Sequence, residues 1–179
     1  AYGKILPNKL LDLVKIPFIN VHASILPKWR GAAPIQRSIM NMDNETGVSI
    51  MKIIPKLDAG PILMQSKIKI NRETTFTDLS NEMSKLGAKL IIDTLECIEN
   101  NNVSFTDQKE LDASYARKIE KSEAKISWNV EANKIVAKIN ALNPNPGCWF
   151  ELQGGRVKII RAKETNSSGE PGKIIDDRL

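Results

Sequence analysis

The hydrophobic pattern changes its period several times along the chain, and those changes mark out the elements. Pro7 to about Val14 suggests a short helix, and the apolar run Phe18-Ile19-Asn20-Val21 predicts a strand that ends at His22. Pro27 and Gly31 punctuate the loop that follows, and Ala32 to Met40 predicts a helix with Ile35 and Ile39 on one face. Thr46 to Ile54 is rich in β-branched residues and reads as a strand, as does the alternating stretch Ile62 to Ile70. Between them Pro55 and Gly60 bracket Asp58 in a loop. The strongest periodic signal comes next. Phe76, Leu79, Met83, Leu86, Leu90, Ile91, Leu95 and Ile98 recur at helical spacing behind a capping-box-like Thr75 and Asp78.

Asn100-Asn101-Asn102 ends that helix, and the polar stretch that follows has no clear period. Residues 105–120 are the predicted linker, between a first unit at 1–104 and a second at 121–179. In the second unit Asn129 is the candidate cap of a helix carrying Ile135, Val136, Ile139 and Leu142, stopped by Asn143-Pro144-Asn145-Pro146-Gly147. Trp149–Leu152 and Val157–Ala162 flank Gln153-Gly154-Gly155-Arg156, a hairpin signal. Strand–helix alternation followed by a hairpin-rich module gives an α/β fold class.

Composition narrows this picture only slightly. Of 179 residues 41% are hydrophobic, enough for a real core, and no run approaches the length of a membrane span. Cys97 and Cys148 are isolated and without metal-ligand spacing, which suggests free thiols in a cytoplasmic setting. The net charge of +5 hints at an anionic partner. Residues 109–179 hold 13 basic against 10 acidic side chains and residues 1–108 hold 13 against 11, so charge does not single out either half. The chain opens Ala1-Tyr2-Gly3 at a turn and closes on a strand-like run from Lys173, as if cut at both ends.

Chemistry concentrates around the single histidine. His22 stands two residues after Asn20 at a strand's carboxyl end, where ligands of α/β sheets usually bind. Histidine exchanges protons near neutrality, a neighbouring aspartate can orient it, and an asparagine amide can donate to a developing oxyanion. Asn20, His22 and Asp58 therefore suit acyl-type transfer to an amine, and no serine or cysteine is placed as a nucleophile. Spacing alone leaves the plainer alternatives open. A strand-end histidine is commonly structural, an aspartate beside glycine commonly makes a turn, and Arg30 and Arg37 would ordinarily be solvated.

The segment Asn20-Val21-His22-Ala23-Ser24-Ile25-Leu26-Pro27, followed by Arg30-Gly31 and Pro34, resembles the signature of the folate-dependent formyltransferases. Ile25 replaces a leucine of that pattern. Leu57-Asp58-Ala59-Gly60 matches the family's later Asp-x-Gly loop. Arg30–Arg37 and Ala141–Trp149 most resemble the members that act on initiator methionyl-tRNA. The resemblance implies a Rossmann-like formyltransferase domain, incomplete here, followed by a partial OB-like β-barrel that binds tRNA. It implies catalysis by Asn20, His22 and Asp58, with contact to the 10-formyltetrahydrofolate donor through Ser24, Ile25, Leu26 and Pro27. Candidate tRNA contacts are Arg30, Arg37, Lys134, Lys138, Arg156 and Lys158. The resemblance further implies that the family's first strands precede Ala1, that the barrel stops early, and that this chain alone binds folate poorly through a sheet of parallel strands with a bare edge. Two alternatives stand beside it: formyl transfer to a small amine, such as an amino-sugar nucleotide or glycinamide ribonucleotide, and a catalytically silent RNA-binding module.

Overall fold

The computed structural model describes residues 6–13 and 16–175. Ala1-Tyr2-Gly3, Val14 and the last four residues of the terminal strand-like run lie outside them. In chain order the elements are α1 (Asn8–Leu11), β1 (Ile19–His22), β2 (Arg30–Gly31), α2 (Pro34–Met40), β3 (Glu45–Lys52), β4 (Ile62–Lys69), α3 (Phe76–Glu99), β5 (Tyr115–Ala116), α4 (Ala132–Leu142), β6 (Cys148–Leu152) and β7 (Gly155–Ile159).

The first sheet has the order β1-β3-β4, and both pairings are antiparallel. This corrects the expectation of a parallel sheet in this stretch. Only residues 53–61 separate β3 from β4, too few for the crossover that a parallel pair needs. Strand alternation divides the sheet into two faces. Val48, Ile50 and Ile68 turn toward α3 and are buried, while Asn20 and His22 lie opposite Met51 and Ser49 on the other face.

Helix α3 covers the apolar face. Thr75 caps it by accepting the Asp78 N–H at 3.2 Å, and the Thr75 hydroxyl donates to Asp78 Oδ2 at 2.6 Å. Leu79, Met83, Gly87, Leu90 and Thr94 form its buried stripe. The three large apolar side chains among them each contribute about 2 kcal/mol by leaving water. Gly87 permits the close approach, since a Cβ there would stand 3.0 Å from Val21 Cγ1. Leu95, placed by periodicity on this stripe, is instead half-exposed, because the stripe passes through Gly87 and Thr94.

The second unit packs back on the first. Helix α4 lies against α2, burying Ile139 and Leu142. Its N-cap is Glu131, with no side-chain cap bond, and not Asn129. Strands β6 and β7 pair through Gln153 and Gly154, whose φ values of 49° and 80° are those of a tight primed hairpin turn. The polar stretch 105–120 also folds back. Thr106 bridges Ile62, and β5 pairs in parallel with β2. Arg37 of α2 reaches across to Glu123, donating from Nη1 and Nη2 to its two carboxylate oxygens at 2.7 and 2.9 Å.

Candidate active site

The loop after β1 lies over the polar face of the sheet, and one serine anchors it. Ser49 of β3 is fully buried. Its hydroxyl donates to the Ser24 carbonyl at 2.6 Å and accepts the Leu26 N–H at 3.0 Å. Gln65 of β4 donates to the Leu26 carbonyl at 2.9 Å and to the Ser49 hydroxyl at 2.8 Å. The Ser24 hydroxyl turns to the Lys28 carbonyl at 2.6 Å. Ser24 and Leu26 are therefore buried supports of the loop, while Ile25 and Pro27 keep partial exposure. Gly47 makes room beneath it: a Cβ there would meet the Ser66 carbonyl oxygen at 2.0 Å and Ile25 Cδ1 at 2.6 Å.

His22 is buried, with its side chain 6% exposed. Nε2 lies 2.9 Å from the Trp29 carbonyl oxygen. A carbonyl only accepts, so Nε2 carries the hydrogen and Nδ1 is the nitrogen left to gain or lose a proton. Nδ1 faces Asp58 Oδ2 at 3.7 Å, too far for a hydrogen bond but close enough for charge to act. That oxygen already accepts the Gly31 N–H at 2.8 Å. The ring is thus oriented by a backbone carbonyl, with the Asp58 carboxylate beside its other nitrogen. Asn20 lies on the same face of β1, two residues away. The three predicted residues are drawn from the end of one strand and the turn between β3 and β4.

Trp29 is fixed on three sides. Its N–H donates to the Ser114 hydroxyl at 2.9 Å, its indole Nε1–H donates to Asp43 Oδ2 at 2.7 Å, and its carbonyl holds His22. The Asp58 turn is held from the stretch expected to be a linker, where Gln108 Nε2 donates to the Asp58 and Gly60 carbonyls at 2.9 and 2.7 Å. Sequence reasoning missed Ser49, Gln65, Gln108 and the Trp29 carbonyl. A serine inside the buried run Val48–Met51 was the one available signal.

The predicted tRNA contacts divide. Arg30 is 1% exposed, with Nε donating to Gln108 Oε1 and Nη1 to Glu110 Oε2, both at 3.0 Å. Arg37 is occupied by Glu123 and by the Arg117 and Lys118 carbonyls. Both guanidiniums are thus engaged by protein groups, with Arg30 buried and Arg37 partly exposed. Lys134, Arg156 and Lys158 are exposed, and Lys138 donates to the Lys125 carbonyl at 2.8 Å. The Arg156 guanidinium stands 4.1 Å from the centre of the Trp149 ring and Lys125 Nζ 5.3 Å from it. A cavity of about 440 Å³ lies between the end of α2, the end of β4 and α4, and none of Asn20, His22 or Asp58 lines it. No helix among the described residues is long and apolar enough to cross a membrane.

Comparison with known proteins bears on this geometry. The formyl transferase family model matches residues 1–95, and the formyl transferase C-terminal domain model matches residues 118–178. A methionyl-tRNA formyltransferase of Pelagibacter ubique is 49% identical over 179 residues, the whole of this chain and 58% of the relative. One from Parvibaculum lavamentivorans is 44% identical over 180 residues, covering 98% of this chain and again 58% of the relative. The chain thus spans 58% of the length of these relatives. Among solved structures, the Helicobacter canadensis N-formyltransferase in complex with folinic acid and dTDP-3-aminofucose has a TM-score of 0.72 and 27% identity, covering 83% of this chain and 55% of that one. HypX from Aquifex aeolicus in complex with tetrahydrofolic acid has a TM-score of 0.77 over 96% of this chain and 30% of that one, and at 20% identity it attests the fold alone.

Proposed function

This chain belongs to the formyl transferase family, and from that premise we propose that it carries the acid–base site and part of the tRNA-binding unit of a methionyl-tRNA formyltransferase. The reaction moves a formyl group from 10-formyltetrahydrofolate to the α-amine of methionine on initiator tRNA. The observation that carries the acid–base reading is the His22 ring, buried and fixed with Nδ1 turned toward Asp58.

Attack by the amine on the formyl carbon develops an oxyanion and leaves a proton on the amine. Asn20 is the donor for that oxygen, which stabilises charge where it appears. His22 takes the proton at Nδ1, and the Asp58 carboxylate 3.7 Å away attracts the positive charge that forms on the ring. The proton then passes to the departing folate nitrogen. Burial of His22 keeps bulk water from the transfer.

The loop residues fit a folate in divided roles. Ile25 and Pro27 offer apolar edges suited to a flat ring system, while Ser24 and Leu26 are consumed in holding the loop on Ser49 and Gln65. Methionyl-tRNA as acceptor is supported by relatives at 44–49% identity across nearly the whole chain. Lys134, Lys138, Arg156 and Lys158 are its proposed phosphate contacts. The test is transfer by the natural full-length protein, in the cytoplasmic setting proposed for it, from 10-formyltetrahydrofolate to initiator methionyl-tRNA or to an amino-sugar nucleotide. Transfer to the tRNA at a kcat/KM at least about a hundredfold greater supports the reading. A preference for the sugar amine assigns the chain to the small-amine branch, and no transfer to either leaves the RNA-binding alternative.

A further inference from the structure

We propose that Gln108 is a positioning residue for Asp58, holding the carboxylate at the imidazole through the backbone of the turn between β3 and β4. The proposal rests on the acid–base reading of His22 and Asp58. Asp58 has φ +44°, a left-handed conformation that aspartate tolerates better than most residues but that is still uncommon outside glycine. The turn's backbone is closed at its base, where the Lys52 N–H donates to the Pro61 carbonyl at 2.8 Å, but at its tip the Ala59 N–H reaches the Lys56 carbonyl only at 3.4 Å. The Gly31 N–H holds one carboxylate oxygen, but it does not hold the main chain that carries it.

Gln108 does hold the main chain. Its two amide hydrogens go to the Asp58 and Gly60 carbonyls at 2.9 and 2.7 Å, one on the residue itself and one two positions on. Its Oε1 accepts from Arg30 Nε at 3.0 Å, so the amide cannot flip without losing all three bonds. Arg30 is itself pinned, with Nη1 on Glu110, and Glu110 Oε1 takes Lys56 Nζ of the same turn at 2.9 Å. Gln108, Arg30, Glu110 and Lys56 therefore close a ring around the turn, with Gln108 the member that touches the Asp58 backbone. A residue between the two units thereby sets the distance on which His22 depends. The folate loop is held independently, by Ser49 and Gln65.

The test uses the natural full-length protein with Gln108→Met, which keeps the side-chain volume and removes all three bonds. Turnover and KM for the formyl donor are measured with initiator methionyl-tRNA. In parallel a proton–nitrogen spectrum reads the ring of His22, assigned by its loss in His22→Ala, and Asp58→Asn serves as reference. The expected result is a loss of about a hundredfold in kcat, the scale of an ångström-level misplacement. Donor KM should stay within about twofold, and the His22 ring signals should move in the direction that Asp58→Asn moves them. A general loss of stability would not produce that ring shift in the folded fraction. Should Gln108→Met fail to fold, Gln108→Asn keeps the amide but withdraws it by one methylene, and gives the same two readings. Ring signals unchanged from wild type overturn the proposal, as does wild-type kcat in a protein whose His22→Ala variant is inactive. If His22→Ala itself turns over normally, the acid–base reading fails, and the ring spectrum still decides whether Gln108 holds Asp58.

Discussion

Replacing Arg37 by methionine removes the ion pair that ties α2 to the start of the second unit. The guanidinium makes two charge-assisted bonds to Glu123, at 2.7 and 2.9 Å, and two more to the Arg117 and Lys118 carbonyls at 3.0 and 3.1 Å. Hydrogen bonding to Arg37, helped by the Glu120 N–H and opposed by partial burial, holds the Glu123 carboxyl down from 4.5 to about 2. A displacement of that size corresponds to at most about 3.5 kcal/mol. The two side chains are 16% and 30% exposed, so solvent screening reduces this to roughly 1–2 kcal/mol. The two carbonyls return to water at little cost. Arg37→Met should therefore cost about 2 kcal/mol at neutral pH and lower Tm by about 4–8 °C for a protein of this size. The sign with pH follows from linkage. A depressed carboxyl contributes stability that is fully present above its unfolded value and is lost as pH falls through the folded value. Between 4.5 and about 2 the wild type loses this contribution, and the variant loses only the smaller part that the Glu120 N–H still supplies. Urea unfolding of both proteins at neutral pH and at about pH 3 reads the difference, which should shrink by roughly half in acid. A gap below about 0.5 kcal/mol at neutral pH, or one that widens in acid, would mean that the Arg37–Glu123 pair does not tie α2 to the second unit.

Two other perturbations probe the loop and the basic surface. Ser49→Ala strips partners from the buried Ser24 carbonyl and Leu26 N–H. It should cost about 3 kcal/mol and weaken folate binding, and a melting temperature and folate affinity both at wild-type values would contradict the anchoring role. Neutralising Lys134, Lys138, Arg156 and Lys158 together should weaken tRNA binding and flatten its salt dependence by about one unit of log slope for each phosphate no longer neutralised, with folate binding retained. Titrating tRNA affinity against salt checks it, and an unchanged slope removes these residues from the interface.

The elements were legible wherever one local rule decided them. Thr75 and the apolar stripe placed α3, the β-branched run placed β3, and Gln153-Gly154 placed the hairpin turn, because cap, period and turn chemistry act over a few residues. What failed needed long-range knowledge. Leu95 left the stripe because Gly87 and Thr94, neither conspicuously apolar, are what fit against the sheet. Arg30 and Arg37 read as solvated cations because their partners Gln108, Glu110 and Glu123 are 78 to 86 positions away. For the same reason residues 105–120 show no period: their bonds are to Asp58, Gly60, Ile62 and Trp29, and a polar stretch between two units whose ordering is offset by such distant partners has none to display. The candidate site was legible as residue types, through Asn20, His22 and Asp58. Its orientation was not, since the group that fixes the imidazole is the main-chain carbonyl of Trp29, and a carbonyl has no letter in the sequence.

The most direct test of the account is single-turnover formyl transfer by His22→Ala in the natural full-length protein, with saturating 10-formyltetrahydrofolate and initiator methionyl-tRNA. The substitution removes the nitrogen that faces Asp58 and leaves the Ser49–Gln65 anchor of the loop after β1 in place. The predicted result is a fall of about 10² to 10⁴ in the transfer rate with folate and tRNA binding largely retained. Transfer at the wild-type rate by a folded His22→Ala protein would contradict it.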